Sequence, residues 1–240
     1  VKAGKRDVVN EAFRVLRTNL EFTIGTHPEQ NVILFTSFNP GSGKSHLSAN
    51  MAMSLAIKKK KVLLIDGDLR RGVTSLLAGS PREGLSDFLN GRVDDIHSII
   101  CKGENCKDLV PGFDVLPVGT LPPNPTELLF TPRLEAMIKQ VRQVYDYVII
   151  DCPPVEVVAD TQILEQFADR TIFVVRAGLM ERSMLPEIDA LYKEKKFKNM
   201  TLILNATKAR GGRYGSHYGY GYGYGYGYNY NKEKNGGAKS

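Results

Sequence analysis

The run Ser37-Phe-Asn-Pro-Gly-Ser-Gly43-Lys44-Ser45 has the composition of an anion cradle. A glycine-rich turn between a strand and a helix aims backbone N–H groups at an anion, and the helix N-terminus adds partial positive charge. In such a turn Pro40, Gly41, Ser42, Gly43, Lys44 and Ser45 surround phosphates. Lys44 reaches the β and γ phosphates, and the Ser45 hydroxyl binds Mg²⁺. His46 follows in the first helical turn and joins the nucleotide-contacting set, with no chemical role. The pattern usually has a further glycine five residues before Gly43, where this chain has Phe38. The ligands expected are ATP and Mg²⁺.

Two more segments place carboxylates where such a site needs them. Val62-Leu-Leu-Ile-Asp66-Gly-Asp68-Leu-Arg70 is an apolar run ending in two acids, and Tyr147-Val-Ile-Ile-Asp151-Cys-Pro-Pro154 is another ending in one. The carboxyl edge of a parallel sheet is where ligands bind in open α/β folds. Carboxylates there hold Mg²⁺ or accept a proton from a nucleophile. A single Asp at a strand end is as often a cap or turn residue, so the weight rests on the three strand ends together.

The elements that must position these residues are legible as short apolar runs. Val32–Thr36, Val62–Ile65, Tyr147–Ile150, Thr171–Val175 and Thr201–Leu204 read as strands buried on both faces. Helices are expected over Ser45–Lys59, Thr126–Val144 and Ser183–Lys195, and an amphipathic helix over 8–22 with Val8, Ala12, Val15, Leu16 and Leu20 on one stripe. Gly79–Asn124 reads as loops with short helices. The alternation predicts an α/β fold with a mostly parallel sheet and helices on both faces. The domain is expected over 1–207. Residues 208–240 form a low-complexity tail of alternating Gly and Tyr, for which disorder is the expectation.

Composition narrows the class. No apolar run approaches the ~20 residues that span a bilayer, and no signal-peptide pattern opens the chain. The first residue is Val1 rather than Met, as in a domain excised from a longer protein. Of the net charge of +6, six Lys/Arg against Glu233 put +5 beyond Ala206 and leave +1 on the domain. That is not a nucleic-acid footprint on the folded body. Cys101, Cys106 and Cys152, an odd count without a CxxC pair, argue against a disulfide framework or a zinc site and fit a reducing cytoplasm, with Cys101 and Cys106 as surface thiols.

The P-loop, the apolar run–DxDxR and the apolar run–DxxP resemble the Walker A, A′ and B set of the bacterial tyrosine kinases. These are cytoplasmic autokinases of capsule and exopolysaccharide export systems, related to the MinD/ParA ATPases. The resemblance runs from Asn10 to the C-terminus. Asn39 stands where MinD/ParA proteins carry a signature lysine, which separates the chain from them. Glu11, Arg14 and Arg17 match the ExxRxxR motif that joins subunits into a ring in this family, although on helix physics alone such spacing is common on a solvated face.

The resemblance implies ATP-dependent transfer of phosphate to protein tyrosine on a P-loop fold of the MinD/ParA type. Lys44, Asp66, Asp68 and Asp151 are then catalytic. Ser45, Asp68 and Asp151 gather around the metal, and Asp66 is the base, with the roles of Asp66 and Asp68 open to exchange. Arg70 is a phosphate or scaffold contact, and Asn205 reads the adenine edge. The tail tyrosines Tyr214, Tyr218, Tyr220, Tyr222, Tyr224, Tyr226, Tyr228 and Tyr230 are phosphoacceptors. The partners implied are further copies of the chain in a ring, a membrane activator region fused upstream or on a separate chain, and a phosphotyrosine phosphatase. The place implied is the inner face of the plasma membrane, and the role is control of polysaccharide polymerisation and export. The rival is a MinD/ParA-like ATPase switch whose tail is an adhesive element and not a substrate.

Overall fold

Apolar residues dominate the strands, and the sheet buries both faces of all but the edge strand Thr201–Asn205. There Leu202 and Leu204 are exposed, which corrects the expectation of burial on both faces, because no further strand or helix covers them among the described residues. In β1 (Val32–Ser37) the side chains of Val32 and Leu34 join one core, while Ile33 and Phe35 join the core on the opposite face. With β2 (Val62–Asp66), β3 (Phe113–Leu116), β4 (Tyr147–Asp151), β5 (Arg170–Arg176) and β6 (Thr201–Asn205) it forms a six-stranded sheet in the order β3-β2-β4-β1-β5-β6. Every pairing is parallel. The computed structural model describes residues 1, 8–24, 27, 29–106, 109–155 and 159–207. Val1–Thr207 forms one unit; the other, Lys208–Ser240, with all eight tail tyrosines, lies outside the described residues.

The helices are α1 (Val8–Ile24), α2 (Lys44–Ile57), α3 (Leu85–Leu89), α4 (Pro125–Leu129), α5 (Pro132–Val144), α6 (Asp160–Glu165) and α7 (Leu185–Lys193). α1 and α2 cover one face, and α5 covers the other. Among the described residues no helix is long and apolar enough to cross a membrane.

Four further expectations are corrected. The segment Gly79–Asn124 contains a strand, β3, hidden in sequence by its four-residue length and by Asp114 in its middle. Asp114 is buried there because Lys102 Nζ at 2.9 Å, the Tyr145 hydroxyl at 2.8 Å and the Gly103 N–H at 3.0 Å all donate to it. The helix expected over Thr126–Val144 is two: Thr131 is extended, and Pro132, which has no N–H to continue a helix, opens α5 instead. On α1 the buried stripe is Phe13, Leu20 and Ile24 with Leu16 beside it, whereas Val15 is 60% exposed. Phe13 and Ile24 offer more apolar area than Ala12 and Val15, and area decides which stripe faces inward. Finally, Cys101 and Cys106 are joined in a disulfide and only Cys152 is free. Cys101 is pinned to Val115 by an antiparallel bridge, and the following turn brings Cys106 back to a Cα–Cα distance of 6.9 Å. With two of the three thiols paired, the cysteines do not mark a reducing compartment, contrary to expectation.

Candidate active site

β1 stands between β4 and β5, so the chain leaves it at the point where the strand order reverses, the place where open α/β sheets bind ligands. The loop from Ser37 turns tightly. The Ser37 and Ser42 hydroxyls both donate to the Asn39 carbonyl, at 2.9 and 2.8 Å. Gly41 and Gly43 have φ of 75° and 89°, values that glycine reaches without steric cost. Gly43 caps α2, so the helix begins at Lys44 and its unpaired N–H groups open onto the loop. Phe38, where a glycine is usual, faces away from the loop and is buried against Phe173, Ile188 and Phe197.

The two acidic strand ends are neighbours. Asp66 and Asp151 are partners in the β2–β4 register, and the Gly67 N–H donates to the Asp151 carbonyl at 2.8 Å. A side chain at Gly67 would press on that carbonyl at 3.0 Å and equally on Ile150 and Leu164, so the residue between the two acids is tightly confined. Asp66 is fully buried and bonded: Oδ2 accepts from the Ser75 N–H and hydroxyl, both at 2.7 Å, and Oδ1 from the Asp68 N–H at 3.3 Å. Burial raises its pKa, and the Ser75 bonds oppose the rise. Asp68 Oδ1 accepts from the N–H groups of Arg70 and Arg71, at 3.3 and 3.2 Å; among the described residues Oδ2 makes no hydrogen bond.

Asp151 is different. It is fully buried, and neither carboxylate oxygen has a partner meeting hydrogen-bond distance and angle. Burial pushes it up to about 7 against the pull of Lys44 and the Ser45 hydroxyl, while Asp66 and Asp68 add to the rise. A buried carboxyl without a partner costs free energy unless a cation or donor arrives. Among the described residues no three acidic, His or Cys side chains converge as a cation cage, so a cation here would need ligands from outside the chain as well. The residues present fit that arrangement, with Asp151 orphaned beside Lys44 and Ser45.

Arg70 is a scaffold contact. Its Nε pairs with the buried Asp160 at 3.1 Å and an Nη with the Thr126 hydroxyl at 3.0 Å, tying the loop after β2 to α4 and α6. The His46 side chain is exposed and lies edge-on to Phe13 of α1, at 6.4 Å between ring centres. Asn205 donates from Nδ2 to the Ser42 carbonyl at 2.9 Å and accepts from the Ala206 N–H at 2.8 Å. Arg17 reaches across to α2, donating to the Ser54 carbonyl at 2.7 Å, whereas Glu11 and Arg14 are exposed and pair with each other. Ser75, which donates to Asp66, and Arg176, which donates to the Gly41 carbonyl at 2.8 Å, belong to the site although no motif marks them.

The AAA domain family matches residues 30–198. The tyrosine-protein kinase CpsD of Streptococcus agalactiae is 34% identical over 209 residues, 86% of this chain and 87% of that protein. The chain belongs to the bacterial tyrosine kinase family. It is also 37% identical over 177 residues to the tyrosine-protein kinase etk of Escherichia coli, 72% of this chain and 23% of that protein. The solved kinase domain of that kinase superposes with a TM-score of 0.75 at 34% identity, covering 91% of this chain and 82% of that one. The chain spans about a quarter of the length of the long curated relatives it matches. Fold alone extends further: MinD of Pyrococcus horikoshii, solved with Mg-ADP, has a TM-score of 0.59 at 24% identity over 72% of this chain and 69% of that one. The P-loop fold of this MinD-like type binds nucleotide.

Proposed function

We propose that this domain transfers the γ-phosphate of ATP to protein tyrosine, giving ADP and phosphotyrosine, and that its own tail tyrosines Tyr214 to Tyr230 are the acceptors. The observation that carries the reading is the orphaned carboxylate of Asp151 beside Lys44 and Ser45, in register with Asp66. Phosphoryl transfer asks mainly for positioning and charge neutralisation. Residues Pro40 to Ser45 hold the phosphates, with His46 at their margin, and Lys44 neutralises charge on the γ-phosphate. With Asp68 assigned to the tyrosine proton, Ser45 and Asp151 are the side chains that would hold Mg²⁺, which would supply charge neutralisation at the phosphates when bound. Of the two acids of the second motif, Asp68 is the better base for the tyrosine hydroxyl. Its Oδ2 makes no bond among the described residues, whereas Asp66 is enclosed and engaged by Ser75. Asp66 then orients the loop that carries Asp68. The Asn205 amide uses one of its two N–H donors on Ser42 and one of its two acceptor lone pairs on Ala206, so one donor and one acceptor site remain for an adenine edge.

The finer parts of the reading rest on the resemblance of the ExxRxxR helix and the tyrosine-rich tail to those of the family. Glu11 and Arg14, exposed on α1, join copies into a ring with Arg17 behind them. Tails are phosphorylated in neighbouring subunits under a membrane activator at the inner face of the plasma membrane, and a phosphatase resets them. The output is control of polysaccharide export. A mixing experiment with labelled ATP tests this. A chain truncated after Thr207 should label the tail of an intact Lys44→Met chain. No transfer, in conditions where the wild type labels itself, rejects phosphorylation between subunits. ATP hydrolysis with no labelled protein at all favours the ATPase switch.

A further inference from the structure

Two side chains at the far strands of the sheet act on the phosphate loop from behind. β5 and β6 end in register at Arg176 and Asn205, and the Ala177 N–H donates to the Asn205 carbonyl at 2.9 Å. From these adjacent positions Arg176 Nη1 donates to the Gly41 carbonyl at 2.8 Å, and Asn205 Nδ2 to the Ser42 carbonyl at 2.9 Å. The two acceptors are consecutive. In a trans peptide the C=O of one residue and the N–H of the next lie in one plane and point in opposite directions. Holding the Gly41 and Ser42 carbonyls toward β5 and β6 therefore turns the N–H groups of Ser42 and Gly43 the other way. Those are the N–H groups an anion in the loop would use.

Gly43 supplies an independent observation. A Cβ built there would collide with the Asn205 amide nitrogen. The amide thus packs directly against the last glycine of the loop as well as bonding to its neighbour. Each end of that amide makes one backbone bond, Nδ2 to Ser42 and Oδ1 to Ala206. Asn205 is built to hold the loop.

We infer that Arg176 and Asn205 are positioning residues that preset the phosphate loop for its anion before nucleotide arrives. The inference rests on the reading of the site as a nucleotide pocket. Its consequence is that removing either side chain weakens every polyphosphate ligand alike, because what is lost is orientation of the loop and not contact with the base.

The test titrates the purified full chain with ATP and with inorganic triphosphate, in the wild type, Arg176→Ala, Arg176→Lys and Asn205→Ala. Each Ala variant should bind both ligands more weakly by the same factor, roughly three- to tenfold for one lost hydrogen bond. The KM for ATP in autophosphorylation should rise by that factor with a smaller change in kcat. Arg176→Lys, which still donates, should recover most of the loss. The loss at Arg176→Ala should persist at 1 M salt, where a Debye length of about 3 Å screens a missing charge. A variant that loses ATP but keeps triphosphate overturns the inference in favour of base reading. So does wild-type affinity in both Ala variants, or a loss that vanishes at high salt. If one Ala variant does not fold, the other carries the same test. A wild type that binds neither ligand overturns the nucleotide-pocket reading itself.

Discussion

Asp151 is where the electrostatics of the site concentrate. Its carboxyl titrates at about 7 in the folded protein, against about 3.9 in an unfolded chain. Between those values the folded state binds more protons. The associated stability is fully present below about pH 4 and is lost as pH rises through 7. By linkage the loss is on the order of 4 kcal/mol. Asp151→Asn removes the ionisation, so the metal-free variant should unfold at a higher temperature than the wild type at pH 8, by roughly 2–4 kcal/mol in stability, with no gain near pH 4. Its kinase activity should be lost. Thermal melts across that range decide the matter, and a gain that does not change with pH would show that ionisation is not the cause. Ionised and without a cation, Asp151 thus destabilises the fold, a cost expected where a site awaits a cation.

At the scale of elements, the phosphate loop departs from its usual pattern at one place, and packing explains it. Phe38 fills an apolar cluster with Phe173, Ile188 and Phe197 beneath α7. Phe38→Gly restores the common motif yet should cost about 3 kcal/mol through the cavity it leaves, without improving ATP affinity. A melt paired with a nucleotide titration checks both parts. α1 makes a second case. Arg17 bonds to the Ser54 carbonyl of its own chain, while Glu11 and Arg14 face outward. Arg17→Ala should therefore destabilise the monomer by about 1 kcal/mol. Glu11→Ala with Arg14→Ala should leave the melting temperature unchanged and weaken assembly. Sedimentation of the two variants separates these effects, and equal behaviour would refute the division of roles.

These elements also show how far the sequence could be read. Five strands were legible as short apolar runs, and the acids that end two of them, β2 and β4, were legible because they accompany a glycine-rich phosphate loop at the end of a third. β3 was not, since its buried Asp114 relies on Lys102 and Tyr145, which are distant in sequence. Arg176 and Ser75 were invisible for the same reason. Each acts through a loop that topology, not spacing, brings within reach.

For the whole molecule the consequence lies in charge. The tail beyond Ala206 carries +5 in sequence, and each phosphotyrosine adds about −1.5 to −2 at pH 7. Eight would leave roughly −7 to −11. Such a segment is repelled by a cleft holding ATP phosphates and three carboxylates. The unmodified protein should therefore assemble and the heavily phosphorylated one should dissociate, less so at high salt. Size-exclusion chromatography at low salt, comparing Lys44→Met with autophosphorylated wild type, checks this. An equal or larger phosphorylated assembly rejects release while leaving the kinase reading standing.

The central claim is that Lys44 serves phosphate transfer to the tail. The direct measurement incubates wild type and Lys44→Met with Mg·ATP and maps phosphate by mass spectrometry. The account predicts phosphate on tyrosines between Tyr214 and Tyr230 in the wild type, and at least a hundredfold less in Lys44→Met, in keeping with the loss of one cation from a developing transition-state charge. Near-normal tail phosphorylation in Lys44→Met, or a wild type that hydrolyses ATP with no phosphotyrosine, would contradict it.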